Sequence, residues 1–124
     1  MTLLIVDDEA MIIKSLGIWL RRRGHTVFMA SDGNSALQML RTMDEQNMTV
    51  DIVISDFNLP DMNGLQIVDI CVRNRPATRV YLMGAALSWD TVTQADVLGV
   101  TGIVHKPFQL QVVAELLSAG APVM

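Results

Sequence analysis

Short apolar runs alternate along this chain with longer stretches in which apolar residues return every three or four positions. Leu3 to Val6 is a four-residue apolar run, the pattern of a strand buried on both faces. From Glu9 to Arg23, Ile12, Leu16, Trp19 and Leu20 recur at helical spacing, and Gly24 supplies a stop. Thr26 to Ala30 predicts a second strand. Ser31 or Asp32 can then cap a helix with Ala36, Leu37, Leu40 and Met43 on one face. Ile52 to Ser55 predicts a third strand, and Leu65 to Asn74 a third helix that stops before Pro76. Arg79 to Met83 is a fourth strand, and Ser88 caps a fourth helix running to about Leu98 and closed by Gly99. Ile103 to His105 is a short fifth strand. Leu110 to Ser118 is a last helix with Val112, Val113, Leu116 and Leu117 facing inward. Ala119 to Met124 reads as a helix stop and the start of a linker.

Five β–α units with short connections predict an α/β fold, a parallel sheet with helices on both faces. Right-handed crossovers leave few topologies for it. Ligands of such doubly wound sheets sit beyond the carboxyl ends of the strands, near the point where strand order reverses. Chemistry is therefore expected at strand ends.

The chain has 124 residues, which fits one domain spanning residues 1–124. It carries a net charge of −4, and Arg21 to Arg23 is its one basic cluster. A nucleic-acid footprint needs a basic stripe or face, so direct nucleic-acid binding is not expected. The arginines suit the negative end of a helix instead. Cys71 is the single cysteine, it falls in a helical apolar stretch, and it is expected to be buried and reduced. No apolar run approaches the roughly 18–20 residues needed to span a bilayer. Leu3 to Val6 is too short for a signal-peptide core, so a cytoplasmic location is expected.

Strand one ends in Asp7 and Asp8, strand three in Asp56, and strand five in Lys106. Each has a plain reading alone: a helix cap, a turn, a solvated surface charge. Together they are harder to dismiss. Three carboxylates at one sheet edge, ~5 Å apart at an effective dielectric of ~20, repel by about 3 kcal/mol per pair. Such a cluster needs a cation, a raised pKa, or both. Lys106 brings one positive charge, and a divalent ion would bring the rest. All-oxygen ligation selects a hard ion such as Mg2+, with Mn2+ as the alternative. His25 and His105 stand in no metal-ligand spacing and are expected to be structural. An open acidic site with one lysine suits phosphoryl transfer onto a carboxylate. Asp56 is the best acceptor, because the Asn58-Leu59-Pro60 turn exposes it opposite the other two acids.

At these residues the chain resembles the response-regulator receiver family over nearly its whole length. The matching segments are LIVDDE at Leu4 to Glu9, DIVISDFNLPDMNG at Asp51 to Gly64, and GIVHKPF at Gly102 to Phe108. The resemblance implies a flavodoxin-like (βα)5 sheet with strand order 2-1-3-4-5. It implies Asp56 as phosphoacceptor, Asp8 as a direct Mg2+ ligand, Asp7 as a ligand through water, and the backbone carbonyl of Asn58 as a further ligand. Lys106 would pair with phosphoryl oxygens, and the Lys106–Pro107 bond would be cis. The phosphodonor would be a sensor histidine kinase, a histidine phosphotransfer domain or a small acyl phosphate. An effector domain or output protein would read the face formed by helix four, strand five and helix five. Trp89 near a helix start is either core or part of such a surface. The domain would catalyse only its own phosphorylation and dephosphorylation, whether it stands alone or belongs to a longer regulator.

Two positions depart from the family pattern. The Thr or Ser that closes strand four falls at Gly84, and the switch aromatic of strand five falls at Ile103. Gly84 removes one charge-assisted hydrogen bond, worth about 1.5–3 kcal/mol. A water could take the hydroxyl's place, and the backbone N–H of Ala85 stays available to the phosphoryl group. These departures define an alternative, a pseudo-receiver that uses the fold for interaction without phosphate-driven switching. An aspartyl-phosphate phosphatase is a third reading, but it needs a second acid where this chain has Asn58.

Overall fold

The computed structural model describes residues 1–119. Five strands and five helices alternate: β1 (Thr2–Val6), α1 (Ala10–Arg22), β2 (Thr26–Ala30), α2 (Gly33–Glu45), β3 (Ile52–Asp56), α3 (Gly64–Asn74), β4 (Arg79–Gly84), α4 (Trp89–Leu98), β5 (Gly102–His105) and α5 (Leu110–Ala119). The strands form one parallel sheet in the order β2-β1-β3-β4-β5. The linker read at the C-terminus lies, from Gly120 on, outside the described residues, and Ala119 still belongs to α5.

Alternation along each strand explains why whole strands read as apolar. Leu4, Val6, Val53, Val80, Leu82 and Ile103 face a core made with α2, α3 and α4. Leu3, Ile5, Ile52, Ile54, Tyr81, Met83 and Val104 face the other core, under α1 and α5. Successive side chains of a strand point to opposite faces, so a sheet covered on both sides has no polar face to show. The α5 register follows the helical spacing, with Val113 and Leu116 buried and Val112 and Leu117 at the margin.

Helix ends sharpen the boundaries. Asp32, rather than Ser31, caps α2 by accepting from the Ser35 N–H at 2.7 Å. Ser88 caps α4, and Gly99 closes it at φ +98°, a left-handed conformation that glycine adopts without a Cβ clash. Arg21 and Arg22 lie in the last turn of α1, while the Arg23 guanidinium stacks 3.7 Å from the Trp19 ring. Trp89 is not core: it is 82% exposed, because α4 turns only a narrow side, with Ala95 buried, toward the sheet. Cys71 is fully buried in α3, and burial pushes its thiol up to about 11. His25 lies at the surface, 3.1 Å from the N-terminal amine through its Nδ1, and His105 is exposed at the end of β5. Among the described residues, no helix is long and apolar enough to cross a membrane.

Candidate functional site

Strand order reverses between β1 and β3: from β1 the chain first adds β2 on one side, then β3 on the other. The crevice beyond their carboxyl ends is where a doubly wound sheet holds its ligand. The ladder continues past the strands and pins the residues that border this crevice. The Asp7 N–H donates to the Ala30 carbonyl at 3.1 Å, Phe57 N–H to Met83 at 2.8 Å, and Lys106 N–H to Gly84 at 2.9 Å. Backbone geometry thus delivers Asp7, Asp56 and Lys106 to one edge.

There they meet. The Lys106 Nζ donates to Asp7 Oδ2 at 2.8 Å and to Glu9 Oε1 at 3.0 Å, and it lies 3.3 Å from Asp56 Oδ2. The other Asp7 oxygen accepts the Glu9 N–H at 2.9 Å. Asp7 is fully buried and Asp56 is 5% exposed, whereas Asp8 faces solvent. One carboxylate oxygen from each of Asp7, Asp8 and Asp56 lies within 4.8 Å of the others.

The charges do not balance locally. Burial, and then the Asp7 charge, hold the Asp56 carboxyl above the usual carboxylate range, with Lys106 and the Asn58 backbone N–H acting against them. Burial pulls the Lys106 ammonium down, but its bonds to Asp7 and Glu9 outweigh that and raise it. A single ammonium shared among several acids leaves room for a further cation.

The loop after β3 adds a neutral oxygen. Asn58 and Asn63 form an isolated antiparallel bridge whose bonds run from Leu59 N–H to the Met62 carbonyl and from Gly64 N–H to the Phe57 carbonyl. This is the pair type in which the bridged residues' own groups point outward. The Asn58 carbonyl is therefore not consumed by the bridge. Gly64 is needed for the approach, because a Cβ there would run into the Asp56 carbonyl oxygen and Leu82. Asp61 ties the far side of the loop to α2 by accepting from Gly33 N–H at 2.8 Å and Asn34 N–H at 2.9 Å. Three carboxylates and a backbone carbonyl, with no thiolate or imidazole, form a donor set that fits a hard divalent cation.

Asp7, Asp8, Asp56, Asn58, Gly84, Ala85 and Lys106 lie at or beside this edge. Ala85 follows β4, and the Lys106–Pro107 bond is cis. Gly84 ends β4, and Ile103 is buried in the core shared with α4. Glu9 was missed. Its only signal was adjacency to Asp7 and Asp8, and a helix-start acid is more often a cap. The side-chain position of Gly84 holds Leu87, a contact that the sequence pattern does not encode.

Beside the site runs a groove of about 590 Å³ between the start of α1 and the loop before α5. Glu9, Ala85 and Lys106 line its site end, and Met11, Ile12 and Phe108 line its apolar length.

Known proteins share this architecture. The solved receiver domain protein from Methanospirillum hungatei JF-1, described as CheY-like, superposes with a TM-score of 0.86 at 22% identity, covering 96% of this chain and 91% of that one. A response regulator from Burkholderia pseudomallei, solved with a phosphorylated aspartic acid, calcium ion and citrate, superposes with a TM-score of 0.82 at 22% identity, over 96% of this chain and 67% of that one. The Regulator of RpoS of Escherichia coli K12 is 34% identical over 106 residues, 85% of this chain. The chain spans 30% of that relative's length. Residues 3–118 match the family model of the response regulator receiver domain. With this match and the 2-1-3-4-5 sheet, the chain belongs to the receiver domains of two-component response regulators.

Proposed function

We propose that residues 1–124 act as a phosphoacceptor receiver domain, with Asp56 as the acceptor. The observation that carries this reading is the Asp56 carboxylate, 3.3 Å from the Lys106 ammonium and clustered with Asp7 and Asp8. Asp7, Asp8, Asp56 and the Asn58 carbonyl would hold Mg2+, or Mn2+ in its place. When bound, such an ion neutralises phosphoryl oxygens as a Lewis acid.

The rest falls to the chain. An Asp56 oxygen attacks phosphorus, forming an O–P bond as the donor's N–P bond breaks and its imidazole leaves. Lys106 turns from the acids toward the phosphoryl oxygens and shares their charge. The Ala85 N–H donates to the same group. Water attack on the aspartyl phosphate later returns the carboxylate and inorganic phosphate, so the domain acts only on its own acceptor.

The donor would be a phosphohistidine of a sensor kinase or phosphotransfer domain. The apolar groove beside Lys106 supports this, since it would seat a helix next to the acceptor. Output would pass to an effector domain or partner protein through α4, β5 and α5, where Trp89 and Val97 are exposed. A second reading, a pseudo-receiver without phosphate-driven switching, draws on Leu87 in the place of a side chain at Gly84 and on the buried Ile103.

Intact-mass analysis with acetyl phosphate and Mg2+ tests the acceptor. Wild type is expected to gain one phosphoryl mass that EDTA or Asp56→Ala abolishes. No adduct on wild type, or an adduct retained by Asp56→Ala, rejects Asp56 as acceptor. Without acetyl phosphate, Mg2+ at tenfold its Kd should stabilise the fold by about 1.4 kcal/mol, read as a higher Tm.

A further inference from the structure

A Cβ on Gly84 would fall 2.5 Å from Leu87 Cδ2, 3.0 Å from Cγ and 3.4 Å from Cδ1. The isobutyl group of Leu87 therefore occupies the volume that any other residue at position 84 would need. It packs at the same time against the core that holds Leu82, Ala95 and Ile103. Between the two, Ala86 takes φ +50°, a left-handed conformation that a residue with a Cβ rarely adopts. Such a conformation persists only where neighbouring contacts enforce it. Leu87 on Gly84 supplies that contact on one side. On the other, Ser88 is fixed as the cap of α4, accepting the Thr91 N–H at 3.1 Å and the Val92 N–H at 3.0 Å.

We propose that Leu87 is a positioning residue, an apolar latch that holds the Ala85–Ala86 backbone closed over the end of β4 before any ligand arrives. Its meaning for signalling rests on the phosphoacceptor reading above. In a receiver that needs the phosphoryl group to draw this loop inward, loop closure reports phosphorylation. Here the loop is already seated by packing. Ala85 follows β4 directly and lines the site end of the groove, so the latch fixes its backbone beside the acceptor site. Gly84 is then the seat for Leu87, which gives the departure at strand four a physical reason.

The experiment is amide hydrogen exchange by NMR on wild type, Leu87→Ala and Leu87→Met without ligand. The reporters are Thr91 and Val92, bonded to Ser88, and Lys106, bonded to the Gly84 carbonyl. Leu87→Ala is expected to speed these amides roughly tenfold or more while strand amides of β1 and β3 stay unchanged. Leu87→Met, which keeps the volume, should return wild-type rates. Wild-type rates in Leu87→Ala overturn the latch. If that variant loosens globally, Gly84→Ala denies Leu87 its seat by a second route, and wild-type exchange there overturns the latch equally. With beryllofluoride and Mg2+ added, α4 amides should shift less in wild type than in Leu87→Ala, and equal shifts reject the proposal. No shift near Asp56 in either protein counts against the phosphoacceptor reading instead, and the ligand-free exchange rates still decide the latch.

Discussion

Lys106→Met is expected to cost about 3–5 kcal/mol of folding stability in metal-free buffer, the penalty for removing one partner of a buried ion pair. Asp7 is fully buried, and the Lys106 ammonium at 2.8 Å is the cation it faces. Without it, Asp7 and Asp56 confront each other across a few ångströms with little water to screen them. For a domain with a total stability of about 5–15 kcal/mol, this is a large fraction. Urea unfolding of both proteins in EDTA measures it, and matching midpoints would remove Lys106 as the neutralising group. Mg2+ should recover part of the loss, because it supplies charge to the same carboxylates. The pH dependence has a definite sign. Lys106 is raised on folding, since bonds to Asp7 and Glu9 outweigh burial. Its contribution is therefore full below the unfolded lysine value of about 10.4 and is lost as pH rises through the folded value. The gap between wild type and Lys106→Met should hold across neutral pH and narrow in strong alkali.

Asp56→Asn should act in the opposite direction and stabilise the metal-free fold at pH 7 by about 0.5–2 kcal/mol, as relief of a strained functional site commonly does. Burial and the Asp7 charge raise the Asp56 carboxyl above its ordinary value of 3.8, so the folded state disfavours its ionised form. A raised carboxylate weakens the fold above its folded pKa, and the weakening fades as pH falls through that value toward 3.8. The advantage of Asp56→Asn should shrink over that window in parallel. Thermal melts between pH 4 and pH 8 with EDTA, run on about the same protein concentration, provide the check. A variant less stable than wild type at pH 7 would mean that attraction to Lys106 outweighs burial and repulsion. Mg2+ should reverse the order, because it rewards the carboxylate that the amide lacks. The same charge that attracts the ion weakens the ion-free protein.

The strands and most helix ends were legible because they follow from local chemistry. Leu3 to Val6 is apolar throughout because both faces of β1 are covered, and Asp32 and Ser88 carry oxygens that suit a helix start. Asp7, Asp8, Asp56 and Lys106 could be grouped because a parallel sheet sends every strand end to the same edge. What escaped depends on side-chain paths. Glu9 could as well have been a solvated first-turn acid, and only the reach of Lys106 brings it into the site. Lys106 bonds Asp7 more closely than Asp56, a preference of half an ångström that no spacing reveals. Asp61 sits 28 positions from the α2 start that it caps, so it carries no local signature there. Leu87 reads as an ordinary apolar loop residue until the left-handed turn at Ala86 brings it back onto Gly84.

Cys71 lies in the core between α3 and the sheet, with its thiol pushed up to about 11. Both burial and protonation keep it unreactive in the closed molecule, because electrophiles attack the thiolate and need access to it. A maleimide or aromatic disulfide can therefore modify the protein only during excursions that lift α3 from β3 and β4. In the fast-closing regime the labelling rate follows the population of those excursions. The chain thus contains an intrinsic chemical counter of how often its interior opens, one that can be read in crude mixtures with or without phosphodonor.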